Sequence, residues 1–211
     1  LKKRIYTSLM LLFLFFLTIK SNFILVFALI VLGVLSLLEF FNINKKILKN
    51  KSYLIISNLF FIIYVFLFCF MFLFFSNYIQ LKIILFTLLF GCIASDIGGF
   101  VFGKILKGPK LTKISPNKTI SGAVGSLLST SIIISISFFY FTENFNYNIL
   151  IVSIITSLAC QSGDLFFSFI KRKAKIKDTG NFLPGHGGVL DRLDGIFFGI
   201  PLGFLALTLL Y

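Results

Sequence analysis

The sequence predicts an all-α, polytopic membrane protein with about seven transmembrane helices and its N-terminus on the cytoplasmic side. Three observations carry that prediction. The 211-residue chain is 58% hydrophobic, with a mean hydropathy of +1.02, well above that of soluble domains. Its apolar residues gather into runs close to the ~20 residues needed to cross a bilayer core. Its 20 basic residues fall on alternate connections between those runs, 18 on one side and only Lys20 and Lys82 on the other. That bias sets orientation, because cytoplasmic connections retain Lys and Arg.

The predicted spans are 5–19, 23–41, 53–75, 83–103, 120–141, 149–170 and 196–211. The first follows Lys2-Lys3-Arg4 with no small-residue cleavage site after it, so it reads as a retained helix. The polar stretch 42–52, NINKKILKNKS, reads as a solvated, lipid-facing cytoplasmic turn. The 53–75 run is long for one crossing, which implies tilt or a break. No internal repeat or low-complexity tail divides the chain, so residues 1–211 read as a single integral membrane domain, with 1–80 as generic membrane helices.

A net charge of +13 in a soluble protein would suggest nucleic acid. Here the charge sits in short loops between apolar runs, which excludes nucleic acid as a partner and points to anionic membrane lipid. Cys69, Cys92 and Cys160 lie inside apolar runs without metal-type spacing and read as small buried hydrophobes. The 30 phenylalanines, with abundant Ile, Asn and Lys, fit an AT-rich coding sequence.

Charged residues inside a span cost about 2.5–3.5 kcal/mol on insertion scales, and so mark function. Two residues are read as carrying this signal, Asp96 in CIASDIGGFVFGK and Asp164 in CQSGDLFFSFIKR. Both lie roughly 10–12 Å from the cytoplasmic ends of helices expected to run in the same direction, so they share one depth. Glycines beside each, Gly98-Gly99 and Gly163, allow close packing or ligand approach. Asp191 and Asp194, placed just before the last helix, are spaced to join them at a hard cation such as Mg²⁺.

Two loops supply cations. In KLTKISPNKTISG (110–122), Ser115-Pro116 marks a turn, and Thr119 or Ser121 can cap the next helix. Lys113 and Lys118 flank that helix start, where free N–H groups attract anions. The segment SFIKRKAKIKDTGNFLPGHGGVLDRLD (168–194) combines basic residues, three aspartates, the only histidine and a glycine turn. Flexible glycines let backbone N–H groups approach an anion closely.

The order Ser168, Lys171-Arg172, Lys177-Asp178, Gly180, Pro184, His186-Gly187-Gly188, Asp191-Arg192, Asp194 resembles the signature of the phosphatidate cytidylyltransferase (CDP-diacylglycerol synthase) family. The Ser-Pro-x-Lys-Thr segment at 115–119 and the Asp96-x-Gly98…Gly103-Lys104 stretch are similar to family motifs, so the resemblance covers 91–200, the expected catalytic part. Two positions depart from the pattern: Phe167 and Ser121 stand where many members carry Glu.

The resemblance implies transfer of a cytidylyl group from CTP to phosphatidate with Mg²⁺, and with room for a second cation, at a site formed by Asp164 and Asp191 with Asp194 and Asp96 as further ligands. It implies catalytic roles for Asp164, Asp191, Lys118, Lys171 and Arg172. Substrate would be held by Lys104, Ser115, Lys118, Thr119, His186, Gly187, Gly188 and Arg192. The implied setting is a bacterial inner membrane with the site facing the cytoplasm, and a second copy of the chain is a candidate partner. Competing readings are an ion or solute transporter, since intramembrane aspartates also mark ion pathways, and cytidylyl or phosphoryl transfer to another lipid.

Overall fold

The computed structural model describes residues 10, 13–112, 114–143, 146–180, 182 and 187–210. Among them are six helices long and apolar enough to cross a membrane. We label these α1 (Asn22–Ile47), α2 (Lys51–Ser76), α3 (Ile79–Leu106), α4 (Ile120–Thr142), α5 (Tyr147–Lys173) and α6 (Leu190–Leu210). Residues 13–20 are also helical, while most of the first predicted span, 5–19, lies outside the described residues. The 53–75 run is one unbroken helix of 26 residues.

Two sequence boundaries are corrected. The expected turn at 42–52 is mostly helix, leaving only 48–50 between α1 and α2. One of its polar residues is used inside the hairpin: Asn44 is buried and donates to Ser57 Oγ (3.0 Å) and Asn58 Oδ1 (2.8 Å). Lys45 and Lys46 in the last turn complement the helix dipole. The last helix begins six residues earlier than the predicted 196, so Asp191 and Asp194 belong to its opening turns. A signal for this was present: Gly188 is followed by an apolar pair and then an acidic residue in the first turn.

The chain forms two compact units, one of residues 1–81 with 170–193, the other of 82–169 with 194–211. In the first unit, α1 and α2 form an antiparallel hairpin. Asn22 bonds the Ser76 carbonyl at one end, Gly33 packs on Val65 and Cys69 midway, and Phe40 stacks on Phe61 toward the other. Asn50 caps α2 by accepting from Ser52 N.

In the second unit, small residues bring helices close, as expected where lipid supplies no hydrophobic drive between helices. A Cβ on Gly98 would lie 2.7 Å from the Gly125 carbonyl oxygen, and one on Gly122 would lie 2.7 Å from that of Gly99. Ser126 donates to the Ser95 carbonyl across the same seam. Helix α6 packs antiparallel to α5, with Asn148 bonding the Leu210 carbonyl and Gly163 packed against Asp194. It is also antiparallel to α3, with Gly199 on Cys92 and Gly203 on Leu88. Helices α3 and α5 therefore run in the same direction, as expected for the helices of Asp96 and Asp164. The outward faces carry Phe60, Phe100, Ile136 and similar side chains, suited to hydrocarbon.

Candidate active site

In the second unit, the 107–119 connection folds back on itself before α4. Leu111 N donates to the Lys118 carbonyl (2.7 Å), Ile120 N to the Pro109 carbonyl (3.0 Å), and Lys118 N to the Ser115 carbonyl (3.1 Å). Proline at 116 suits the Ser115–Lys118 turn. Gly108, at φ +110°, takes the left-handed region where glycine carries no Cβ penalty. Thr119 caps α4, accepting from Gly122 N at 3.1 Å, whereas the Ser121 hydroxyl donates to the Lys107 carbonyl. With both backbone groups of Lys118 tied down, its ammonium forms an ion pair with Asp164 of α5. Both partners keep partial access to water.

Asp164 has acidic company. One turn earlier on α5, Cys160 Sγ lies 3.9 Å from Asp96 Oδ1. The residue before Asp164, Gly163, is packed so tightly on α6 that a Cβ would lie 2.5 Å from the Asp194 carbonyl oxygen. Asp194 is buried, and its Oδ1 accepts from Gly195 N at 2.9 Å. The second unit thus brings the segments of Asp96, Asp164 and Asp194 together around Cys160 and Gly163. Lys104 lies in the last turn of α3, with its ammonium 5.7 Å from the centre of the Phe100 ring. Phe167, at the family's acidic position, is buried against Phe166, Phe197 and Phe198 and adds to packing there.

In the first unit, Lys171 pairs with Asp191 at 2.7 Å, both side chains nearly buried. The other Asp191 oxygen, Oδ2, accepts from Thr179 N (2.8 Å), Gly188 N (3.0 Å) and the Thr179 hydroxyl (3.0 Å). Gly187 has φ +83°, so the turn into α6 favours glycine there. A Cβ on Gly188 would collide with Thr179 and with the carboxylate of Glu39. The glycine-turn N–H groups do approach anions, but these are the chain's own carboxylates. Arg172 reaches the Ile176 carbonyl at 3.4 Å, and Arg192 is exposed in the first turns of α6. His186 and Lys113 lie outside the described residues.

Sequence reasoning missed Glu39. It lies within the predicted 23–41 span, yet only Asp96 and Asp164 were read as charges inside spans. Glu39 is buried on α1 and accepts from the Thr179 hydroxyl (2.6 Å), Val189 N (2.9 Å) and Leu190 N (2.9 Å). Its single acidic side chain in LSLLEFFN was the available signal.

Among the described residues, no group of three or more His, Cys, Asp or Glu side chains is gathered for a metal ion. The oxygen donors of Asp96, Asp164 and Asp194 have the right chemistry for a hard divalent cation. At Asp164 the place of a cation is taken by Lys118.

Fold and site together define a polytopic helical membrane protein in which Asp164 and Asp191 are each paired with a lysine. The chain belongs to the Cytidylyltransferase family, which it matches over residues 45–210. It is 42% identical over 127 residues to a phosphatidate cytidylyltransferase of Rickettsia felis, covering 56% of each chain. It is 46% identical over 112 residues to a phosphatidate cytidylyltransferase of Staphylococcus haemolyticus, covering 51% of this chain and 42% of the relative. The chain thus spans about half the length of the curated relatives it matches.

Proposed function

We propose that this chain transfers the cytidylyl group of CTP to phosphatidate, giving CDP-diacylglycerol and pyrophosphate. The observation that carries the reading is Lys118, fixed by its own turn and directed onto Asp164, in a chain of this family. A lysine so held can meet a phosphate without first losing much conformational freedom.

The phosphatidate phosphate is already an anion and needs no strong general base. One of its oxygens attacks the α-phosphorus of CTP in line. The new P–O bond forms as the bond to the β-phosphate oxygen breaks, and pyrophosphate leaves with the electron pair. The barrier is electrostatic, because two anions must meet and charge grows on the leaving group. Lys118 stabilises that charge, with Lys104 of the same unit as a further phosphate contact. Asp164, Asp96 and Asp194 would hold Mg²⁺, whose charge would offset that of the phosphates. Asp191, with an ammonium and three other donors on it, serves by fixing the glycine turn. The 18-to-2 distribution of basic residues supports a site facing the cytoplasm of a bacterial inner membrane.

The test is direct. Purified protein in detergent is given phosphatidate, Mg²⁺ and each labelled nucleoside triphosphate in turn. Lipid-soluble label is expected from CTP. No labelled lipid, beside an active control enzyme in the same detergent, refutes the proposal. Label appearing only with a different lipid acceptor would reassign the substrate.

A further inference from the structure

We infer that Glu39 is a positioning residue: its buried carboxylate fixes the glycine turn of the first unit and, through it, the geometry of Asp191. The inference deepens the cytidylyl-transfer reading and rests on it. A carboxylate within an apolar helix is costly unless it is well bonded. Glu39 is spent on one target. Oε1 accepts from Val189 N, while Oε2 accepts from Leu190 N and the Thr179 hydroxyl. The two amides belong to the turn entering α6, where a negative charge also suits the helix dipole.

The contacts divide the work between two carboxylates. Asp191 holds Thr179 N and Gly188 N, and Glu39 holds the next two amides, of Val189 and Leu190. Thr179 joins them, since its hydroxyl oxygen lies 2.6 Å from Glu39 Oε2 and 3.0 Å from Asp191 Oδ2 and has one proton to share between the two. Both ends of the 179–190 segment are therefore fastened to these two side chains. Gly180 and Gly188 leave the room Glu39 needs: a Cβ on Gly180 would lie 2.6 Å from its Oε1, and one on Gly188 would collide with Oε2. A generic helix cap would satisfy the two amides alone. The bond to Thr179, and through it to Asp191, is what ties the cap to the family's signature segment.

The substitution Glu39→Gln keeps size but places an NH₂ group against a donor, whichever way the amide turns. Thr179→Val removes the link and leaves the cap, and Thr179→Ser restores it. Asn44→Ala is the structural control, because Asn44 is buried on the same helix but bonds only Ser57 and Asn58 among its described partners. Two readouts are made on full-length protein in detergent: hydrogen exchange of peptides covering 179–193, and kcat and KM for phosphatidate and CTP per folded molecule. Glu39→Gln should exchange at least about tenfold faster over that segment and lose at least about tenfold in kcat, since small misplacements slow turnover even when they arise far from the chemistry. Thr179→Val should follow it and Thr179→Ser should not. Asn44→Ala should leave both readouts at wild-type values.

Unchanged exchange in both Glu39→Gln and Thr179→Val would overturn the inference. So would faster exchange with unchanged kcat, which would make Glu39 a structural cap only. Should wild-type protein fail to make CDP-diacylglycerol while the exchange differences persist, the cytidylyl reading falls and the clamp on the turn stands. If Glu39→Gln does not fold, Thr179→Val decides.

Discussion

Replacing Lys118 with alanine removes the cation paired with Asp164. The two side chains are 26% and 32% exposed, so water screens the pair, and its contribution to folding should be about 0.2–1 kcal/mol. That is a shift of about 2–4 °C in Tm at most for a chain of this size. The effect on turnover should be much larger. A donor aimed at charge that develops in the transition state is worth about 3–4 kcal/mol, so kcat should fall roughly 100- to 1,000-fold. The assay follows lipid-soluble label from CTP at low and high salt, beside a thermal melt. Tryptophan is absent, but the cysteines in the helices allow a thiol-reactive dye to report unfolding. Lys175→Ala is the comparison. Its residue lies in an exposed basic stretch after α5 and should contribute a surface contact worth about 1 kcal/mol that fades with salt. Its loss should stay under about tenfold. Turnover of Lys118→Ala within about tenfold of wild type would refute this assignment, as would a larger defect from Lys175→Ala.

Three further outcomes are expected. Asp191→Ala removes the nearly buried carboxylate that holds the Lys171 ammonium, Thr179 N and Gly188 N, so it should cost about 3–5 kcal/mol and be visible as a lower Tm or failed folding; a wild-type melt would show that these bonds contribute little. EDTA should abolish turnover and Mg²⁺ restore it, while full activity in chelator would remove the proposed metal from the reaction. Single cysteines introduced at Ile47, Lys110 and Lys175 in a background lacking the native ones should label from the cytoplasmic side only, and one at Asn146 from the other; labelling of position 175 from outside would invert the proposed topology.

Spans and their order were legible because crossing a bilayer demands long apolar runs, and those runs are visible at a glance. Helix ends were less so. Asn44 and its neighbours look like a solvated turn until the partners Ser57 and Asn58, a dozen residues on, are known. Among the site residues, Asp96 and Asp164 stood out as charges within spans, and the common direction of their helices followed from counting crossings. The pairing of Lys118 with Asp164 was not legible, because it joins positions 46 residues apart. Glu39 had a visible signal that was overlooked, but its partners 140 to 151 residues away could come only from the fold.

The backbone-to-backbone seams of the second unit also bear on how this sequence can change over time. Glycine codons begin with two guanines, so pressure toward A and T works against every one of them, while Phe, Ile, Asn and Lys accumulate. The chain nevertheless has 16 glycines beside its 30 phenylalanines. At Gly98, Gly122 and Gly163 a single added carbon would press on a neighbouring helix's carbonyl oxygen. Outward-facing Phe60 or Ile136 could drift among apolar residues with little consequence for the fold. The substitutions this nucleotide bias most readily supplies at the three glycines are ones the packing must reject. Composition bias can therefore repaint the lipid-facing surface of the molecule while the seams keep a record of the older constraint.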